Sequence, residues 1–153
     1  MEHQEQQGKI TQLVVFQLGS ELYGADIGVV REVCPLQRVT KVPRTPCYIE
    51  GVTNLRGRVI PVADLRRRLG LPSAAPTSAT RIAVAELDGE QVGMIVDAVL
   101  EVARVPDSAV EPPSGLVTGI DAEYVLGVTQ LRGRLVILLD LAKVLHRAER
   151  KVV

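Results

Sequence analysis

The sequence predicts a mainly β protein made of two similar units that share one core. Only 3% of its 153 residues are aromatic although 46% are hydrophobic, and tryptophan is absent. The core must therefore consist mainly of valine, leucine and isoleucine, and the β-branched members of that set favour strands. The stretch GVTNLRGRVIPVADL at 51–65 also returns as GVTQLRGRLVILLDL at 127–141, which indicates a duplicated unit. A chain of this length suffices for one domain or two small halves.

The duplication extends over most of the chain. Residues 48–69 align with 124–145 with half of the positions identical, and 13–34 align with 82–103 through a shared apolar pattern. Between the halves lies LPSAAPTSAT, whose small and polar residues are typical of a linker. The predicted boundaries are a disordered tail over 1–9, a single domain over 10–147 with halves at about 10–70 and 81–147, the linker at 71–80, and a C-terminal tail over 148–153.

Each half begins with a predicted pair of strands. Short apolar runs at 13–18 and 82–87 end at the dipeptides Gly-Ser and Asp-Gly. An Asp-Gly dipeptide between two apolar runs is a strong hairpin signal, because both residues tolerate the backbone of a tight turn. An apolar segment follows the second strand in each half. In the first half, Asp26 is a candidate to cap a short helix over the valine-rich residues 29–33.

Each half ends with a predicted hairpin and a short helix. Arg-Gly dipeptides at 56–57 and 132–133 separate two apolar runs, and glycine adopts the positive φ angle that such a tip requires. The leucine before each dipeptide, Leu55 in the first half and Leu131 in the second, is expected to be buried. An aspartate after each hairpin is placed to cap a short helix, because leucines follow it at helical spacing.

The charge balance argues against a general nucleic-acid binder. Eighteen Lys and Arg residues offset eighteen Asp and Glu residues, so the formal net charge is zero, whereas nucleic-acid affinity depends on excess basic charge. The arginine run at 66–68 keeps an RNA-binding β-barrel protein open as an alternative. The chain has few aromatic residues on which bases could stack, which disfavours that alternative.

Residues that carry catalytic or metal chemistry are scarce. The two histidines, His3 and His146, have no further ligand at metal-binding spacing, and neither Cys34 nor Cys47 belongs to a C-x-x-C pair. No dinucleotide-binding or P-loop glycine pattern occurs. The repeated residues are glycine, valine, leucine, arginine and a capping aspartate, which are mainly architectural. We therefore predict a protein that is not an enzyme and has no catalytic residue, metal site or cofactor.

The hydropathy of the chain predicts a cytoplasmic protein. The N-terminal residues MEHQEQQGK lack the apolar region of a signal peptide. No run approaches the roughly 18 apolar residues that a membrane span needs.

Four blocks of the sequence resemble the CheW family of chemotaxis adaptors. They are YGADIGVVREV, TPCYIEGVTNLRGRVIPVADLRRRLG, QVGMIVDAVLEV and AEYVLGVTQLRGRLVILLDLAKVL, and they extend from about 11 to about 147. The resemblance implies two interlocked five-stranded SH3-like β-barrels with short helices. It also implies a stand-alone adaptor, since no kinase or receiver domain is attached, and a mostly monomeric protein when isolated.

The resemblance also implies two partners. An adaptor of this type joins the regulatory domain of a CheA-type histidine kinase to the cytoplasmic tip of methyl-accepting chemotaxis proteins. The chain is therefore expected at receptor arrays on the inner face of the membrane, without inserting into it and without binding nucleic acid. An adaptor of a pilus- or gliding-motility chemosensory pathway would have the same fold and is the alternative.

Candidate receptor-binding residues follow from the resemblance. Aliphatic residues are implied to line a groove between the barrels, and two polar residues are implied to support receptor coupling. The guanidinium group of arginine also presents a planar set of donors that suits a partner carboxylate or carbonyl. The groove candidates are Ile27, Val30 and Val99, and the polar candidates are Glu32 and Arg56.

Candidate kinase-binding residues are implied at the barrel ends, namely Val39, Gly57 and Arg58. The second hairpin carries Arg132 at the position that corresponds to Arg56. The sequence does not decide whether Arg132 contacts a partner protein, and we expect that it does not.

Overall fold

The computed structural model describes residues 9–46, 48–113 and 120–145. Within these residues, strands dominate and helices are short, so the predicted mainly β fold is confirmed. A helix α1 spans Leu65–Arg68, residues 141–145 are helical, and single 3-10 turns span Asp107–Ala109 and Ala122–Tyr124. The strands are β1 Ile10–Leu18, β2 Glu21–Asp26, β3 Val30–Pro35, β4 Ile49–Leu55, β5 Arg58–Asp64, β6 Arg81–Leu87, β7 Glu90–Val96, β8 Ala98–Pro106, β9 Val125–Leu131 and β10 Arg134–Leu139.

The strands form two five-stranded sheets that exchange strands between the two halves of the sequence. One sheet has the order β8-β1-β2-β10-β9, and the other has the order β3-β6-β7-β5-β4. We call the first the terminal barrel, because it contains the first two and the last three strands, and the second the central barrel. Strands β1–β5 correspond in sequence to β6–β10. Replacing each strand by its counterpart converts the order of one sheet into that of the other. The expected pair of interlocked five-stranded units is confirmed.

Each sheet closes into a small barrel through a backbone bridge between its two edges. In the central barrel, Thr40 and Val52 exchange two backbone hydrogen bonds of 2.8 Å. In the terminal barrel, Glu111 and Val128 exchange two bonds of the same length. The bridges lie at equivalent positions of the two halves, so the duplication includes the closure.

The repeated Gly-Val-Thr motif makes this closure possible. A Cβ atom on Gly51 would collide with the carbonyl oxygen across the bridge, and one on Gly127 would lie 2.7 Å from the equivalent oxygen. The buried Thr53 hydroxyl donates to the Arg38 carbonyl at 2.8 Å, and the buried Thr129 hydroxyl makes the equivalent bond at 2.9 Å. Because glycine has no Cβ, it allows the backbones to approach, and threonine satisfies a carbonyl beside them.

Both Arg-Gly turns have the predicted backbone. The φ angles are 51° and 83° at Arg56 and Gly57, and 50° and 81° at Arg132 and Gly133. Two successive positive φ angles define a type I′ turn, whose twist matches that of the strands it connects.

The buried residues of the described part of the chain form three clusters. The largest takes residues from both barrels and includes Phe16, Tyr23, Met94 and Tyr124. A second cluster fills the terminal barrel, and a third, centred on Ile60, fills the central barrel. The largest cluster is therefore the core that the two barrels share, as the duplication predicted.

Two local predictions from the sequence are wrong. The predicted helix over 29–33 is mostly strand β3, which pairs with β6, because valine-rich segments favour strands when a partner is present. Asp26 instead accepts a 2.7 Å hydrogen bond from the Gly28 amide in the preceding turn. Leu55 is buried as predicted, but Leu131 is only partly buried, because it packs at the edge of the terminal-barrel cluster.

The predicted aspartate caps are present. Asp64 accepts a 3.1 Å bond from the Arg66 amide at the start of α1, and Asp140 accepts a 3.2 Å bond from the Lys143 amide. The predicted tails, apart from Lys9, lie outside the described residues, and so do His3, Cys47 and His146.

Candidate partner-binding site

The three aliphatic candidates lie at different depths around the shared core. Ile27, in the turn between β2 and β3, is 38% exposed. Val30 begins β3, is 4% exposed and belongs to the shared core. Val99, near the start of β8, is partly buried and packs against the same core. The structure therefore brings Val30 and Val99 to one cluster and leaves Ile27 at the surface.

The two polar candidates form an ion pair beside the central-barrel hairpin. The Arg56 guanidinium contacts the Glu32 carboxylate, and the two side chains are 70% and 24% exposed. The Asn54 side chain accepts a 2.9 Å bond from the Gly57 amide and so fixes the turn that carries Arg56. An exposed ion pair of this kind stabilises a fold by only about 0–1 kcal/mol. A partner carboxylate could therefore replace Glu32 at small cost.

The terminal barrel carries an equivalent ion pair that reasoning from the sequence missed. Arg132 contacts Glu101 on β8, and the two side chains are 70% and 31% exposed. Glu101 and Arg132 occupy the same places in the second half as Glu32 and Arg56 in the first. The alignment of the two halves contained this signal.

The kinase-side candidates flank a shallow depression on the central barrel. Gly57 and Arg58 are exposed in the hairpin, and Val39 is partly buried in the segment after β3. The depression, of about 310 Å³, lies between that segment and the hairpin and includes Val59 in its lining. Val59 is 67% exposed. Reasoning from the sequence missed Val59, although its place before the buried Ile60 in an alternating strand indicated an outward side chain.

A partly shielded ion pair, also missed from the sequence, lies between the barrels. Arg66 in α1 contacts Asp97, which separates β7 from β8, with Nε–Oδ1 and Nη2–Oδ2 distances of 3.0 and 2.5 Å. The hydrogen bond from Arg66 lowers the pKa of the Asp97 carboxyl, and the Gly19 amide acts in the same direction. The same hydrogen bond raises the pKa of Arg66. Both groups are therefore held in their charged forms.

Two other groups, the Cys34 thiol and the Tyr23 hydroxyl, have raised pKa values that favour their neutral forms. Burial raises the pKa of the Cys34 thiol, and the Glu32 carboxylate acts in the same direction. Because the thiolate is the reactive form, this cysteine is a poor nucleophile. Burial likewise raises the pKa of Tyr23 to about 12.

The part of the chain that the structure describes contains no cluster of three or more His, Cys, Asp or Glu residues that could hold a metal ion. None of the helices in that part has the length and apolar character to cross a membrane.

The chain matches a known protein family over most of its length. A family model described as a CheW-like domain matches residues 12–149. The chain belongs to the CheW-like domain family.

Curated relatives agree with this classification. The chemotaxis protein CheW of Treponema pallidum is 37% identical over 142 residues, which cover 90% of this chain and 84% of that protein. The chemotaxis protein CheW of Bacillus subtilis is 36% identical, with coverages of 88% and 86%. Protein FrzA of Myxococcus xanthus is also 36% identical, with coverages of 90% and 87%. The CheW-like region therefore accounts for most of each chain.

A solved CheW structure has the same fold. The crystal structure of the scaffolding protein TtCheW from Thermoanaerobacter tengcongensis matches with a TM-score of 0.80 and 41% sequence identity. The match covers 87% of this chain and 86% of that one.

Proposed function

We propose that this CheW-like chain is a chemosensory adaptor that couples methyl-accepting chemoreceptors to a CheA-type histidine kinase and catalyses no reaction itself. Its family and its chemotaxis relatives support the adaptor role. The observation that carries the partner assignment is that the implied contact residues include exposed aliphatic and charged side chains. Ile27 and Arg56 supply these on the receptor side. On the kinase side Arg58 supplies the charge, beside the exposed Val59 of the same strand, which the resemblance did not imply.

On the receptor side, Ile27 is the direct apolar contact. Val99, which packs against the shared core, is assigned to the same side, and the Glu32–Arg56 pair supplies charged groups that can exchange partners. Val30 is 4% exposed, so its role is to support the groove from the core below. A receptor helix with an apolar face and a carboxylate at the edge of that face would fit this combination of groups.

On the kinase side, the depression beside Val39 and the hairpin residues Gly57 and Arg58 form the contact surface. Val59 is its apolar anchor, because a side chain that is 67% exposed gains most from burial in an interface. The glycine allows a partner backbone to approach the tip closely.

The same proposal assigns the protein to the cytoplasm, at receptor arrays on the inner face of the membrane. It is mostly monomeric when isolated and needs no cofactor. An adaptor for pilus or gliding motility remains the second candidate, since it would have the same fold and the family match does not name a pathway. The two pathways can be distinguished by measuring which of the receptors and kinases encoded in the source genome bind this chain.

The test compares two matched charge insertions. Ile27→Asp is expected to lose binding to a soluble receptor cytoplasmic fragment and keep binding to the kinase regulatory domain, and Val59→Asp is expected to do the reverse. The wild type should stimulate kinase autophosphorylation only when receptor is present. Equal loss of both partners in both variants would contradict separate surfaces. RNA binding that falls with salt, in the absence of partner binding, would favour the barrel alternative.

A further inference from the structure

The chain crosses between the barrels twice, once in each half. After β2 it passes from the terminal to the central barrel over residues 27–29, and after β7 it returns through Asp97. Val30 and Val99 follow these crossings at equivalent positions, and both pack in the shared core. The backbone of each crossing therefore sets the position of the valine that follows it.

The second crossing is held by contacts from several elements. Arg66 contacts Asp97 with Nε–Oδ1 at 3.0 Å and Nη2–Oδ2 at 2.5 Å, and the Gly19 amide donates to Oδ2 at 2.7 Å. The Asp97 amide donates to the Gln17 carbonyl at 3.0 Å, and Arg66 Nη1 donates to the Pro72 carbonyl at 2.7 Å. Because the Arg66 side chain is 15% exposed, these charge-assisted bonds are partly shielded from solvent. They tie α1 and the segment after it to the β1–β2 turn.

The first crossing has no such ion pair. The residue equivalent to Asp97 is Gly28, and the residue equivalent to Arg66 is Ala142, so neither charge is present. A hydrogen bond from the Gly28 amide to the Asp26 side chain holds that turn. The register also shifts by one residue just after both crossings. The fold thus forms an equivalent crossing without the ion pair, so the pair is not a requirement of the architecture.

We propose that Arg66 and Asp97 are positioning residues for the receptor side: they fix the second crossing and thereby the place of Val99 beside the groove. The proposal rests on the proposed function, which assigns Val99 to that side.

The experiment uses two conservative variants of the full chain. Arg66→Lys keeps the positive charge but loses the bidentate hydrogen-bond donor. Asp97→Asn keeps one hydrogen-bond acceptor but loses the negative charge. Each is expected to weaken binding to a soluble receptor cytoplasmic fragment by about tenfold and to change binding to the kinase regulatory domain by less than about twofold. Arg67→Ala is the matched control: it removes an exposed arginine of the same helix, with its ion pairs to Glu50 and Asp64, but leaves the Arg66–Asp97 pair in place, and it should change neither binding.

A second readout separates positioning from general stability. The methyl NMR signals of Val99 in the free protein should move in Arg66→Lys and Asp97→Asn and stay in place in Arg67→Ala. Ile60→Val, a core change in the central barrel, supplies a variant whose melting temperature can be compared with theirs. Unmoved Val99 signals, or an equal loss of receptor binding in Ile60→Val at equal melting temperature, would overturn the inference.

Failure of the inference and failure of the proposed function give different results. Ile27→Asp changes the groove directly and leaves the ion pair in place. Receptor binding that survives Ile27→Asp would overturn the receptor assignment itself. Loss of binding in Ile27→Asp with full binding in Arg66→Lys and Asp97→Asn would overturn only the positioning role.

Discussion

At the scale of single residues, Arg56 combines an unusual backbone with an exposed side chain. Its φ angle of 51° is in the left-handed region, and its side chain is 70% exposed. The Arg-Gly repeat was enough to predict the turn, because its glycine readily adopts a positive φ angle between two apolar runs. The positive φ angle of the arginine was not predicted. The ion pair with Glu32 could not be derived from spacing, since β3 reaches the hairpin only in the closed barrel. The resemblance named both residues but not their contact.

Arg56→Ala should separate folding from recognition. We expect the free energy of unfolding to change by less than about 0.5 kcal/mol, because the side chain is mostly solvated. Binding to the receptor fragment should weaken by about 2 kcal/mol, roughly thirtyfold, if the guanidinium anchors a partner carboxylate. Thermal unfolding and a binding titration measure the two effects.

The controls for this prediction are Arg132→Ala and Gly57→Val. Arg132→Ala is expected to couple receptor and kinase normally. Gly57→Val should lower the melting temperature, because valine is strained at a φ angle of 83° although none of the described residues lies within 4 Å of its Cβ position. Full coupling by Arg56→Ala would make Arg56 a solvated turn residue, and failed coupling by Arg132→Ala would show that the site itself is duplicated.

The Asp97 carboxyl should make stability depend on pH. Its pKa is lower in the folded chain than in the unfolded chain, chiefly because Arg66 donates to it. The stabilisation is therefore complete above the unfolded pKa of about 4 and is lost as the pH falls through the lower folded value. Asp97→Asn should cost about 1–3 kcal/mol at pH 7, and this difference from the wild type should shrink below about pH 4. A constant difference across that range, measured by urea unfolding, would contradict the assignment.

At the scale of elements, the repeated hairpin could be predicted only in part. The alternating apolar runs and the Arg-Gly tip indicated two strands and a turn. The reason for the glycine and threonine at its start was not visible, because Thr40 and Arg38 reach them only when the barrel closes. The strand β3 was mistaken for a helix for a related reason, since its pairing with β6 joins the two halves.

The closing glycines should be intolerant of alanine. Gly51→Ala and Gly127→Ala both place a Cβ atom against a backbone carbonyl, and backbone cannot move aside as a flexible side chain can. We expect each to lower the free energy of unfolding by about 1–3 kcal/mol or more. Gly57→Ala is the control, because its Cβ atom meets no neighbour among residues 9–46, 48–113 and 120–145 and the substitution bears the cost of its φ angle. Urea unfolding that ranked Gly57→Ala as the most damaging of the three would refute the closure argument.

The two hairpin leucines should differ in their contribution to stability. Leu55 is 6% exposed inside the central barrel, whereas Leu131 is only partly buried at the edge of the terminal-barrel cluster. Leu55→Ala should therefore cost about 2–5 kcal/mol, and Leu131→Ala should cost less. Equal losses in melting temperature would mean that both leucines are packed to the same degree.

At the scale of the whole molecule, the duplication predicted two units but not which strands each unit would use. Both halves have the same alternation of apolar and polar residues. This alternation indicates which face of a strand is buried, but it does not indicate which strand lies next to it in the sheet. β1 pairs with β8 of the other half, and β3 pairs with β6. Only the resemblance to CheW proteins implied this interlocking. The Arg66–Asp97 pair was missed for the same reason, because its two residues come from different halves.

The strand exchange also sets the order in which a growing chain can fold on the ribosome. The strands of the central barrel all lie between Val30 and Val96, so it can assemble while the rest is still being made. β2 ends at Asp26, but its neighbour β10 begins only at Arg134. At about 5–20 residues per second, the first hairpin waits roughly 5–20 s for that neighbour, far longer than the microseconds in which a hairpin forms. The hairpin of β1 and β2 is therefore synthesised first, but its edge at β2 stays unpaired until β10 has been made.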